Sequence, residues 1–201
     1  GVVAMEDSPH PEVVEAIATA EKAGIKVKMI TGDNKETAAA IAKQIGLHGD
    51  VLVGKDIDEL SDEELSIAIK SAQVFARVTP EHKLRIVRLL KTHNEIVAMT
   101  GDGVNDAPAL KEAHVGIAMG KTGTDVSRAT ADLTLKDDNF SSIIHAVAEG
   151  RTIYNNIRKF VSYQLAANIA ELIILLIGVV MAPRLGWGVP LLLSIQILFM
   201  N

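Results

Sequence analysis

Three short segments of this 201-residue chain set polar and glycine residues directly after apolar runs. The chemistry they offer is that of oxygen ligands, a cation and backbone amides gathered around an anion. Residues 100–106, Thr100-Gly101-Asp102-Gly103-Val104-Asn105-Asp106, straddle a loop with two carboxylates, and two glycines allow it to be tight. That disposition suits a hard divalent cation bound by oxygen, with Mg2+ neutralising phosphoryl oxygens as the leading chemistry. Thr31-Gly32-Asp33 ends another apolar run just before a helix start, where backbone N–H groups and the positive helix end can receive an anion. Between them, Arg77-Val78-Thr79-Pro80-Glu81-His82-Lys83 sets Lys83 one turn into a helix, where it can supply a point charge to the same phosphate. Taken singly, a Thr-Gly-Asp turn is ordinary loop chemistry and a helical lysine an ordinary solvated side chain. Three such loops at successive strand ends point instead to phosphoryl transfer. The six histidines are scattered without a His-Glu-x-x-His pair and the chain has no cysteine, so zinc sites and disulfides are not supported. No serine-centred elbow appears, and Gly120-Lys121-Thr122 lacks the glycine-rich stretch that precedes a Walker lysine.

The elements that must position these loops alternate short strands with short helices. Pro11 at a first helical position and Gly24 beyond the last turn bracket a helix over 11–23. A β-branched run at 25–30 predicts a strand, 34–45 a helix closed by Gly46, and Ser61-Asp62-Glu63-Glu64 a capping box opening a helix over 62–70. Strands are expected at 74–76, 96–99, 115–119 and 133–135, with helices at 81–91, 106–113 and 124–129. The pattern predicts an α/β fold with a mostly parallel sheet covered on both faces, its carboxylates at the C-terminal strand ends.

Charge divides the chain. Residues 1–150 hold 16 basic and 24 acidic side chains, a local charge of −8, whereas 151–201 hold 4 and 1, a local charge of +3. An acidic globular part argues against nucleic acid as a partner. Residues 140–160 predict a long helix ending in Arg158-Lys159, running into 161–182, whose single charge is Glu171. About 20 apolar residues span a bilayer core. A turn at 183–188 and a second apolar run at 189–200 complete a transmembrane hairpin with its second helix truncated, against the alternative of a buried helical hairpin in a soluble protein. Arg158, Lys159 and Trp187 sit where interface anchors belong, which puts residues 1–160 in the cytoplasm of an integral, multi-pass membrane protein. Asn168 and Glu171 share a helix face, and Gln196 and Asn201 add oxygens from the second run. Oxygen ligands with no sulfur or imidazole nearby suit Ca2+, against a polar pair that merely joins helices. Both chain ends read as cuts through a longer protein.

These residues resemble the P-type ATPases, the cation pumps that pass through a phosphorylated intermediate. The resemblance spans nearly the whole chain and is carried by MITGDN (29–34), ARVTPEHK (76–83), TGDGVNDAPAL (100–110), GIAMGKTGTDVSRATADLTLKDDNF (116–140) and EGRTIYNNIRKF (149–160). Within the family the chain looks like the type II, calcium-pump-like group: Tyr154-Asn155-Asn156 fits that group's stalk, and Asn168-Ile169-Ala170-Glu171 and the run up to Asn201 resemble its ion ligands. The resemblance implies a haloacid-dehalogenase-like (Rossmann-type) fold and a partial phosphorylation domain over 1–139. It further implies a cytoplasmic stalk over 140–160, the fifth membrane helix over 161–182 and part of the sixth over 189–201.

It also implies roles. Asp102 would hold Mg2+ with Asp106 nearby. Thr31 and Gly32 would contact phosphate, Asp33 would lie near nucleotide and metal, Lys83 would hold the phosphoryl group, and Asn105 would hydrogen-bond to it. Arg77 would join Thr31, Gly32, Asp33 and Lys83 in binding ATP, and Asn168, Glu171 and Asn201 would bind the transported Ca2+. The DKTGT segment bearing the phosphorylated aspartate is missing, as are the nucleotide-binding and actuator domains and the other membrane helices, so the fragment alone is expected not to turn over. Its partners are then the remainder of the same polypeptide and the lipid bilayer. A sodium–potassium-type or other type II pump, a membrane-anchored haloacid-dehalogenase-like phosphatase and a non-enzymatic regulatory module remain alternatives.

Overall fold

The computed structural model describes residues 11–181 and 183–186. The chain divides into two units, Gly1–Ala146 and Val147–Asn201. In the first unit, helix α1 (Pro11–Lys22) precedes strand β1 (Met29–Ile30), then α2 (Lys35–Gln44), β2 (Asp50–Val53), α3 (Gly54–Glu59), α4 (Asp62–Ser71) and β3 (Ala72–Ala76). Next come α5 (Pro80–Thr92), β4 (Ala98–Gly101), a 3-10 turn (Val104–Asp106), α6 (Ala107–Glu112), β5 (Val115–Met119), α7 (Asp125–Thr130) and β6 (Leu133–Leu135). Each strand–strand ladder is parallel. The order is β1-β3-β2 in one sheet and β4-β5-β6 in the other.

Side chains alternate across a strand, and β3 uses both faces. Phe75 packs with Ile57, Leu65, Ile69 and Ile86 from α3, α4 and α5. Val74 and Ala76 pack instead with Ile17, Ala38 and Ala42 from α1 and α2. A third cluster joins Val87 of α5 to Met99, Ala109 and Leu110. Helix α5 therefore contributes to the cores of both sheets.

The helix signals read from sequence are realised as capping bonds. The Asn34 side chain accepts from the Thr37 amide at 2.8 Å. The Glu64 carboxylate accepts from the Ser61 amide at 3.0 Å, and Ser61 Oγ accepts from the Glu64 amide at 3.3 Å. Gly24 and Gly46, at φ +78° and +86°, leave α1 and α2 in the left-handed region that only glycine enters cheaply.

Three expectations change. The strand over 25–30 shrinks to Met29–Ile30, because only these residues find ladder partners, Val74 and Phe75. The strand over 96–99 shifts to Ala98–Gly101, because the ladder with β5 runs from Ala98 opposite Val115 to Gly101 opposite Ala118. The single expected sheet is realised as two, with β1 and β4 each at an edge. Strand β2 and helix α3, which lie between the signals read from sequence, are additional.

Helix α8 (Phe140–Met181) is continuous for 42 residues, about 63 Å at ~1.5 Å per residue. Among the described residues it is the one helix long and apolar enough to cross a membrane. Leu165, Ile169, Leu172, Leu176 and Ile177 on it are exposed. The second apolar run, Trp187, Gln196 and Asn201 lie outside the described residues.

Just before α8, the Asp138 carboxylate closes the loop after β5. It accepts the amides of Gly120 at 2.6 Å, Lys121 at 3.0 Å and Thr122 at 2.8 Å, and the Thr122 hydroxyl at 2.9 Å. These bonds, the Lys121 amide foremost, hold its carboxyl down from 3.8 to about 2. A depressed carboxyl contributes stability that is full above its unfolded value and disappears as pH falls through its folded one. Asp138→Ala is thus expected to be less stable than the parent chain at neutral pH. The pH-dependent part of the deficit should shrink below pH 3.8 and vanish near about pH 2, leaving only the strain of alanine at φ +57°, as urea unfolding at stepped pH would show.

Candidate active site

The loops singled out in the sequence all emerge from C-terminal strand ends of the first unit. After β1, Thr31 Oγ1 donates to Asp33 Oδ2 at 2.8 Å and accepts from the Asp33 amide at 3.1 Å, which folds the Thr-Gly-Asp turn on itself. Its backbone is pinned to the loop after β3: the Arg77 amide donates to the Asp33 carbonyl at 2.8 Å and the Val78 amide to the Thr31 carbonyl at 3.2 Å. Arg77 is exposed and has φ +47°. A non-glycine residue in that region marks a backbone that its surroundings dictate.

From this loop the chain turns into α5. Thr79 caps the helix by accepting the His82 amide at 3.4 Å, and Pro80 occupies the first turn, where its missing N–H costs nothing. Lys83 follows. Its ammonium donates to Asp106 Oδ1 at 2.6 Å. The Asp106 side chain is 8% exposed and that of Lys83 19%. The other Asp106 oxygen accepts from the Gly103 amide at 3.3 Å. A largely buried carboxylate with a cation and an amide on its two oxygens is satisfied as an anion.

Asp102 is placed differently. Its side chain is exposed and has no hydrogen-bond partner among the described residues, while its backbone carbonyl is held from two directions. The Thr124 amide reaches that carbonyl at 2.9 Å and the buried Ser127 hydroxyl at 3.0 Å. Arg128 stiffens the same loop from its carbonyl side, donating to Gly120 and Gly123, opposite the amides that Asp138 accepts. The peptide is thus fixed and the carboxylate presented to solvent. Among the described residues no three acidic or histidine side chains cluster as a complete metal cage. An exposed, oxygen-only donor on a fixed backbone fits Mg2+, which is commonly bound through one or two carboxylates together with phosphate oxygens and water. Asn105 is exposed in the same loop.

The structure thus joins the loop after β1 to the one after β3, and through Lys83 to the one after β4. In the second unit, Asn168 is exposed and Glu171 half-buried on α8, and Glu171 Oε1 is enclosed without a hydrogen-bond partner among the described residues. Ala167, Glu171, Leu175 and Gly178 are the half-buried positions of that stretch, one helix face at spacings of four, four and three. Reading the sequence missed Thr124, Ser127, Arg128 and Asp138. Only the Thr124-x-x-Ser127 spacing, a helix cap, could have signalled them.

Residues 1–114 match the family of haloacid dehalogenase-like hydrolases. The whole chain is 51% identical to part of calcium-transporting ATPase 1 of Bacillus cereus, and also 51% identical to part of a calcium-transporting ATPase of Bacillus subtilis. It is 48% identical to part of the cation-transporting ATPase pma1 of Synechocystis. The chain spans about 22% of the length of these relatives. Among solved structures, a zinc-transporting PIB-type ATPase in its E2.Pi state matches 91% of this chain over 24% of its own, at TM-score 0.67 and 30% identity.

Gly101 tests the packing around Asp106. A Cβ there would lie 2.5 Å from Asp106 Cβ, whereas one at Gly103 would meet nothing nearer than 3.6 Å. Gly101→Ala is expected to destabilise the fold by ~1–3 kcal/mol. Gly103→Ala should leave stability unchanged or raise it by up to ~1 kcal/mol. Urea unfolding of the two variants side by side checks the contrast.

Proposed function

The chain belongs to the haloacid dehalogenase-like hydrolase family, and from that premise we propose that it is the phosphate-handling and membrane-entering segment of an ATP-driven cation pump, with Ca2+ as the transported substrate. The observation that carries this reading is the Lys83–Asp106 ion pair at 2.6 Å, which brings the ARVTPEHK and GDGVND loops into one site. Identity of 51% along the whole chain to part of two calcium-transporting ATPases supports it. The phosphorylated aspartate belongs to a part of the pump outside this sequence. A parallel strand between the edges β1 and β4 would bring its C-terminal end between the two site loops. The side chains of Lys26 and Glu95, 3.4 Å apart, show that the segments leading into those two edges lie near each other.

In this site Asp102 would be the chain's direct Mg2+ ligand, with Asp106 behind it. When bound, Mg2+ supplies positive charge that offsets the negative charge of the phosphoryl oxygens. The Lys83 ammonium is anchored by Asp106 and turned into the site as a fixed cation for the transferring group. Thr31 and the amides after β1 receive phosphoryl oxygens, Asn105 donates to them, and Asp33 and Arg77 line the approach of the nucleotide. This is electrostatic stabilisation by groups oriented before the reaction begins. In the transfer step the aspartate takes the terminal phosphoryl group of ATP and ADP leaves. Water later cleaves the acyl phosphate and releases inorganic phosphate.

Residues 140–160 form the stalk in this reading, and 161–182 and 189–201 the membrane helices of a multi-pass protein with 1–160 in the cytoplasm. Asn168, Glu171 and Asn201 bind the cation. Ca2+ is favoured over zinc because the sequence after Ala146 contains neither cysteine nor histidine, the soft and borderline ligands that zinc takes.

In the full-length pump, Asp102→Asn is expected to lower acid-stable phosphoenzyme formed from labelled ATP by ~10²-fold or more. Ordinary labelling in that variant would remove Asp102 from the metal site. Glu171→Gln should abolish the Ca2+ dependence of phosphorylation by ATP while phosphorylation by inorganic phosphate persists. A Ca2+ titration unchanged by the substitution would reject Glu171 as a ligand.

A further inference from the structure

Lys83 can act only if the first turn of α5 is held still, and the residue that holds it is the histidine beside it. His82 is 7% exposed, and each ring nitrogen has one partner. The Thr79 amide donates to Nδ1 at 3.1 Å. Nε2 lies 2.7 Å from Asp58 Oδ1 on α3. A backbone amide can only donate and a carboxylate can only accept, so the partners themselves dictate a lone pair on Nδ1 and a proton on Nε2. We propose that His82, kept as this neutral tautomer, is the positioning residue that aims Lys83 at the phosphoryl group. The inference rests on the reading of Lys83 given above.

The ring closes a reciprocal cap. His82 Nδ1 takes the Thr79 amide while Thr79 Oγ1 takes the His82 amide, a box normally built with Glu or Gln at the third helical position. Nε2 then ties this turn to α3. The ring has little room to turn away: a Cβ on Gly54, the first residue of α3, would lie 3.1 Å from His82 Cε1. One residue on, the Lys83 amide bonds to the Thr79 carbonyl at 3.1 Å, so the backbone under the ammonium belongs to the same turn.

A second ring proton would point Nδ1–H at the Thr79 N–H and leave that amide without an acceptor. The charged groups around the ring are specific. Asp58 faces Nε2, Glu81 precedes it on α5, and Arg85 reaches past it to the Ile57 and Leu60 carbonyls and to Asp62. On α3, Lys55 pairs with Glu59 and Asp56 accepts the Val53 amide. Arg77 stands on the loop before α5, and Lys83 is committed to Asp106. Among the described residues Asp58 is the one carboxylate that touches the ring, at 2.7 Å.

Two measurements test this. In the 201-residue chain labelled with 15N-histidine in detergent, His82 should show an unprotonated Nδ1 and a protonated Nε2 at neutral pH, assigned by loss of its signals in His82→Gln. The opposite tautomer or an imidazolium would overturn the inference. In the full-length pump, His82→Ala should lower turnover by on the order of 10- to 100-fold with little change in the KM for ATP, as displacement of a reacting partner does. His82→Gln, which can both accept from Thr79 and donate to Asp58, should keep turnover within about threefold of the parent. If the Gln variant falls with the Ala variant, His82 does not position Lys83. Full activity in Lys83→Ala would instead defeat the reading of the site itself.

Discussion

Asp106 is a carboxylate sealed almost entirely from water, and a carboxylate in that position needs a cation and donors to meet it. Lys83 meets it from another helix, 23 residues earlier in the chain. Removing one partner of a buried pair typically costs about 3–5 kcal/mol, because the survivor is left uncompensated. Much of the local design follows from that demand. Gly101 has no side chain because Asp106 occupies the space one would take. The Gly103 amide turns inward to the second Asp106 oxygen. The start of α5 is capped by both Thr79 and His82, so the ammonium arrives from a fixed direction.

Helix α5 carries the same constraint into the packing. Ile86 and Leu89 belong to the core around Phe75, whereas Val87 belongs to the core around Met99. Among the described residues one helix thus fastens two three-stranded sheets, and its first turn carries Lys83. On the far side of the second sheet, Asp138 and Arg128 grip the loop after β5 from its amide and carbonyl sides, and Thr124 and Ser127 pass that rigidity to the Asp102 peptide. The two acidic residues of one short loop are therefore held by opposite means: Asp106 by its side chain, Asp102 by its backbone.

Features that depend on residue type and local spacing were legible in the sequence. Ser61 with Glu64, Pro80 after Thr79, and Gly24 and Gly46 mark helix ends through bonds within a few residues, and each is found where expected. Lys83 and Asp106 could be nominated for one site because both follow strands, although nothing in the sequence states their distance. Asp138 could not be nominated, since its partners lie 16 to 18 residues away and three of the four are backbone amides, which every sequence contains. The strand limits moved for a similar reason. Ile96 reads as strand by type but is 81% exposed, and only pairing with β5 decides that the ladder begins at Ala98. Strand β2 and helix α3 are short and sit between stronger signals, so periodicity had too few turns to reveal them.

The edges of the two sheets have a practical consequence. Neither β1, Met-Ile, nor β4, Ala-Met-Thr-Gly, contains a proline or a charged residue within its own limits. Borders of that composition lack the guards by which proteins keep exposed backbone donors and acceptors from recruiting strands of other molecules. Among the described residues, the segment produced by itself thus presents at least these two adhesive seams, which a fitting strand would cover.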